Sequence, residues 1–194
     1  MAIAPKLERR LGRALEGLAR WLAYAGGFVL VSLALITVVS VLGRAFIFAG
    51  LRPISGDFEL VEAGCAIAIF AFMPWCQLRR GHVTVDIFID RLPSRARAVF
   101  GLIGDAAIAV VSGLILWRIW LGFGEKFPYG SEALRDALGM GYKPFFPETT
   151  YELELPIWIP YGLAVIGAAL FFVVSLYTVW RALNWVLDGQ EGHA

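Results

Sequence analysis

Two stretches of this chain carry no charged residue at all: 23 positions from Trp21 to Gly43 and 26 from Leu155 to Trp180. A helix of about 20 apolar residues spans the hydrocarbon of a bilayer. A soluble helix would show a polar stripe along one side, and neither Leu22–Leu42 nor Gly162–Trp180 has one wide enough. Two weaker runs lie between them. Ala63–Leu78 is uncharged for 16 residues, and Ala98–Trp117 is apolar for 20 except for Asp105. The chain therefore reads as a single all-α membrane domain, with transmembrane helices at 21–46, 58–78, 96–119 and 156–181. The first run exceeds the 7–15 apolar residues of a signal peptide, and no small-residue cleavage site follows it. The composition agrees, with 59% hydrophobic and 17% charged residues. A net charge of +1 gives no reason to expect a nucleic-acid partner.

Lys and Arg mark the cytoplasmic side of a membrane protein. Eleven of them fall before the first span, between the second and third, or after the fourth, against six on the opposite side. Both termini are thus expected in the cytoplasm, with the 120–155 loop outside and 182–194 as a cytoplasmic tail. Residues 1–20 place Leu7, Leu11, Leu15 and Leu18 on one side of a helix and Arg9, Arg10 and Arg13 elsewhere. Such a segment is expected to lie in the headgroup plane, in contact with membrane lipids. In the outer loop, Ser131 is a candidate N-cap for a short helix over Ser131–Leu138.

Residues 82–93 lie between the second and third spans. Val83, Val85, Ile87 and Ile89 alternate as in a strand, but His82, Asp86 and Asp90 fall at i, i+4 and i+8, one stripe of a helix. A lone strand at a membrane surface would leave its backbone groups unpaired, so a short interfacial helix ending at Pro93 is expected, with Ser94 capping the third span. One histidine and two carboxylates make a poor metal site, and no acid–base or nucleophilic constellation stands nearby. No metal, cofactor or enzymatic activity is expected. Cys65 and Cys76 are 11 residues apart on one helix, too far to bridge.

Charges within spans usually pair inside the protein. Arg44 closes the first span where Glu59 and Glu62 open the second, so an ion pair of Arg44 with Glu59 or Glu62 is expected to fix that hairpin. Asp105 lies about two turns into the third span, within reach of Arg79, Arg80 or His82, or of another subunit. Small-xxx-small pairs (Gly64/Ala68, Ala109/Gly113, Ala164/Ala168) point to close helix packing. Transporter sites form between internal repeats from broken helices. This sequence shows neither an internal repeat nor a Gly/Pro break at mid-membrane, and it reads as a scaffold for a larger membrane protein.

Arg44 at the end of the first span, SGDFELVE (55–62) opening the second, RRGHVTVD (79–86) after it and LPIWIPYG (155–162) opening the fourth resemble the small, DctQ-like membrane subunit of tripartite ATP-independent periplasmic (TRAP) transporters. The resemblance covers about residues 20–185. It implies a bacterial inner-membrane protein that packs as a fixed anchor beside a large membrane subunit. That subunit carries the substrate and sodium sites, and a periplasmic solute-binding protein delivers an organic acid such as a C4-dicarboxylate. Arg44, Glu59, His82 and Asp86 match family positions and are read as structural or interfacial, as are Glu62 and Asp105. The alternatives are the small four-helix subunit of another tripartite carboxylate uptake system and a membrane-anchor subunit of a redox enzyme.

Overall fold

A computed structural model of the chain describes residues 5–81 and 93–188. Five α-helices follow in order: α1 (Pro5–Ala45), α2 (Asp57–Leu78), α3 (Ser94–Lys126), α4 (Glu132–Ala137) and α5 (Trp158–Asp188). A 3-10 turn at Ile47–Ala49 sits between the first two. Four helices, α1, α2, α3 and α5, are long and apolar enough to cross a membrane. Among the described residues the only β feature is an isolated bridge between Thr149 and Pro156. The expectation of an all-α protein with four spans holds.

The helices form an open row. α1 packs on α2, α2 also packs on α5, and α5 also packs on α3, while α1 meets α5 only through its N-terminal part. A row has no common centre, so burial is shared unequally. α5, flanked on both sides, has 39% of its most apolar window buried; the other three have 17–22%. Small residues set the contacts. A Cβ on Gly26 would come 2.9 Å from the Ala71 Cβ, and one on Gly64 would come 2.7 Å from a Leu33 methyl. Ala68, Ala109, Ala164 and Ala168 are buried and Gly113 abuts Phe172, so the small-xxx-small spacings mark helix contacts.

Pro74 lies inside α2 without ending it. It has no N–H, so the Phe70 carbonyl one turn earlier has no intrahelical donor. That is where α5 comes closest: a Cβ on Gly167 would sit 2.6 Å from the Phe70 oxygen. Proline in one helix and glycine in the next thus bring two backbones together.

Three element boundaries differ from the sequence reading. α1 runs unbroken from Pro5 to Ala45, so residues 5–20 continue the first span as one helix. Nothing in 17–27 forces a break, and the Leu15 and Ala19 side chains pack with Leu78, Val174 and Tyr177. α3 extends to Lys126 rather than residue 119, because its last turn packs on the outer loop. At its start the flanking residue is Pro93, and Ser94 is already helical. The short helix in the outer loop forms as expected. It spans Glu132–Ala137, with the Ser131 hydroxyl accepting from the Leu134 N–H.

Candidate functional site

At the end of the row away from the chain termini, α1 presents Ser40 and Arg44, one turn apart, to the first residue of α2. The Ser40 hydroxyl donates to Asp57 Oδ2 at 2.6 Å, and Arg44 Nη2 donates to the same oxygen at 3.3 Å. The Ile54 N–H donates back to Ser40 Oγ at 3.3 Å. The carboxylate sits at a helix N-terminus, where a negative charge is favoured. Arg44 thus joins α1 to the first residue of α2, but its partner is Asp57 and not the expected Glu59 or Glu62. Helical geometry explains the correction. At about 100° per residue, Glu59 points to the side of α2 opposite Asp57, away from α1.

Glu59 holds the outer loop instead. Its two oxygens accept the Glu152 N–H at 2.8 Å and the Leu153 N–H at 3.1 Å. Glu152 reciprocates by accepting the Gly56 N–H. Gly56 adopts φ +75°, and a side chain there would strike Leu153. The turn over 149–156 is closed on itself by Thr150 N to Leu155 O at 2.9 Å and Ile157 N to Glu148 O at 3.0 Å. Lys126 Nζ reaches Glu148 Oε2 at 2.5 Å. Glu62 is exposed, and no hydrogen bond or ion pair joins it to another described residue.

The rest of the loop is organised by Arg135, which is 1% exposed and faces no carboxylate. Its guanidinium donates to carbonyls at the end of α3 (Gly124 at 2.6 Å, Phe127 at 2.7 Å). It also donates to carbonyls after α4 (Gly141 and Tyr142, both at 3.0 Å). Two helix C-termini present partial negative charge there, and one planar fork of donors satisfies both. Counting Arg135 among outer-side cations gave no hint of this. The sequence signal was its place four residues after the Ser131 cap, inside a six-residue helix.

At the opposite end, Asp105 of α3 is 6% exposed and is bonded by the end of α2. Its Oδ2 accepts from Arg80 Nη2 at 2.9 Å, and its Oδ1 accepts from Gln77 Nε2 at 3.1 Å. Gln77 also donates to Thr178 Oγ1 at 2.8 Å, and Thr178 donates on to the Ser175 carbonyl at 2.9 Å. Of the partners expected for Asp105, Arg80 is the one found, whereas Arg79 pairs with Glu16 of α1 at 2.8 Å. Sequence reasoning missed Gln77, the one amide in the uncharged Ala63–Leu78 run. Arg80 is positioned by the end of α2. Gly81 N bonds Cys76 O at 2.8 Å and Arg80 N bonds Gln77 O at 3.2 Å, a Schellman-type closure. Arg80 occupies the left-handed position of that motif with φ +50°, where glycine is usual. His82 and Asp86, with the rest of the 82–92 segment, lie outside the described residues.

Around this cluster stand more arginines and aromatic rings. The guanidiniums of Arg80 and Arg181 lie 4.7 and 5.1 Å from the Trp185 ring, and those of Arg79 and Arg20 lie 4.7 and 5.6 Å from Trp75. Asn184 donates to Glu8 at 2.5 Å, tying α5 to the start of α1. Among the described residues, no group of three or more His, Cys, Asp or Glu side chains could hold a metal.

The two polar ends lock neighbouring helices and the outer loop together, and the chain between them is apolar and open to its surroundings. The sequence profile of the DctQ component of tripartite ATP-independent periplasmic transporters matches residues 33–184. The chain belongs to this family. Proteins of this family are transporter subunits and not enzymes. One curated relative is the C4-dicarboxylate TRAP transporter small permease protein DctQ of Vibrio cholerae serotype O1. It is 30% identical over 122 residues, which cover 59% of this chain and 52% of the relative. The chain thus spans about half the length of the curated relative it matches. No solved structure matches it.

Proposed function

We propose that the chain is the small, non-transporting scaffold subunit of a TRAP transporter in a bacterial inner membrane. In this reading a large membrane subunit carries the substrate and sodium sites and a periplasmic solute-binding protein delivers an organic acid. The V. cholerae relative makes a C4-dicarboxylate the first candidate substrate. The excess of Lys and Arg on the end that holds the termini supports a cytoplasmic location for both, with the 127–157 loop facing the periplasm. Residues 5–20 would carry α1 past the inner membrane surface into the cytoplasm, and the residues after α5 would form a cytoplasmic tail. Arg44, Glu59, Asp105 and their partners act as structural ties. Glu62, His82 and Asp86 are candidates for the partner interface.

The observation that carries this reading is the open row of helices. α1 exposes Trp21, Tyr24, Phe28, Val31, Leu35 and Val38 along one side. A lipid-facing surface accounts for such residues, and so does the flank of a larger membrane protein. The buried polar side chains of the row tie helix to helix, as the Asp105 and Asp57 clusters do, or bond their own helix, as Ser112 and Ser175 do. Proteoliposomes test the reading directly. The chain alone should give no sodium-dependent dicarboxylate uptake. Adding the large subunit and binding protein should restore it, and omitting the small subunit should abolish it. Uptake by the chain alone would refute a scaffold role.

A further inference from the structure

We infer that the end of α2 and the last turns of α5 form a binding site for the phosphate headgroup of an anionic phospholipid, centred on Arg181 and Arg80. The position follows from the sequence. Arg181 is the first charge after the 26-residue uncharged run, Arg79 and Arg80 directly follow the last residue of α2, and Arg20 directly precedes the uncharged run of α1. These four guanidiniums therefore stand at one level, the hydrocarbon–headgroup boundary, where lipid phosphates lie. Tyr177, Trp185 and Trp75, aromatics of the kind that favours this boundary, stand beside them.

Charge is out of balance there. Arg20 and Arg79 share Glu16, and Arg80 has Asp105. Arg181 forms no ion pair with a described carboxylate, although Asp105 and Glu8 lie within its electrostatic reach. It donates to the Leu78 carbonyl at 3.2 Å and rests on the Tyr177 ring at 5.8 Å and the Trp185 ring at 5.1 Å. Arg80 flanks the same Trp185 ring, so two cations approach one indole. The Nε of each is buried with no acceptor. The outer Nη groups of a guanidinium can meet two oxygens of a phosphate, and arginine is suited to that fork where lysine is not. Basic pockets between spans hold anionic headgroups by this chemistry. A carboxylate on a neighbouring protein is the rival partner, and the depth of Arg181 at the phosphate level favours the lipid.

The site lies within this chain, so its test is independent of the partners proposed above. The full-length chain is purified in neutral detergent, and thermal unfolding is followed after adding phosphatidylglycerol, phosphatidylcholine or inorganic phosphate. Phosphatidylglycerol at saturating concentration should raise the wild-type Tm by about 5 °C. Phosphatidylcholine and free phosphate should not match it. Arg181→Gln should lose most of that rise, Arg181→Lys should keep part of it, and Arg10→Gln, which removes an exposed charge on α1, should keep all of it. Should Arg181→Gln fail to fold, native mass spectrometry of the wild type and Arg10→Gln takes its place, with both expected to retain phosphatidylglycerol over phosphatidylcholine. Equal responses to the two lipids, a full response in Arg181→Gln, a response to free phosphate as large as to lipid, or no preferential retention would each overturn the site.

Discussion

Replacing Asp105 with alanine tests whether the three-helix junction holds the row together. Asp105 is almost fully buried and joins α3 to α2 through Gln77 and Arg80. A hydrogen bond from a buried amide to an ionised carboxylate contributes about 1.5–3 kcal/mol. The Arg80 side chain is 35% exposed, so water screens its share to about 1 kcal/mol or less. Gln77 would keep Thr178 at 2.8 Å as a partner, which limits the damage. The sum is a loss of about 3 kcal/mol, or a fall of about 6–12 °C in Tm for a chain of this size. Asp105→Asn keeps the shape and an acceptor for Gln77 while losing the ion pair, and should cost about 1 kcal/mol. Thermal unfolding in one detergent, monitored by intrinsic fluorescence, gives both values. Arg80→Gln should then cost less in the Asp105→Ala background than in wild type, since the pair no longer exists. An Asp105→Ala protein that melts within about 2 °C of wild type would show that the junction contributes little, whatever its geometry.

Arg135→Met should destabilise the outer loop by at least about 3 kcal/mol, because several buried carbonyls lose their donor at once. Arg135→Lys should rescue it poorly for lack of a fork, and protease sensitivity between 127 and 157 reads both out. Asp57→Asn should weaken the α1–α2 hairpin by about 0.5–1 kcal/mol, measured as Tm, and Glu62→Gln should leave Tm unchanged; equal effects would undo the assignment of Arg44 to Asp57. Gly167→Leu should lower Tm by more than Gly104→Leu, a glycine whose Cβ would meet nothing within 4 Å, because α5 cannot approach the Phe70 carbonyl with a side chain in the way.

Much of the architecture was legible in the sequence because hydropathy over 20 residues is a strong signal. Trp21–Gly43 and Leu155–Trp180 have no other stable home than a membrane. Ser131 as the cap of the outer-loop helix was legible for a local reason, since its hydroxyl reaches a backbone N–H three residues on. Helix ends were less so. Nothing local stops α1 at residue 20 or α3 at residue 119, and both continue because distant side chains pack on them. The partners of charged groups were the hardest part. Arg44 was expected to pair with Glu59 or Glu62, and finding Asp57 instead required the rotation of α2 about its axis. Glu59 and Arg135 bond to backbone groups of the outer loop, and a fold in which carbonyls take the place of counterions leaves no trace in charge patterning. Gln77 shows the reverse. One amide in an apolar run was visible and its importance lay in the chemistry, since a buried amide needs partners.

The row of helices is a wall one helix thick. Such a wall has two broad sides and can supply at most one bank of any watery route that runs along it. Its own helices are tied to one another at both rims, by Asp57 at one and Asp105 at the other.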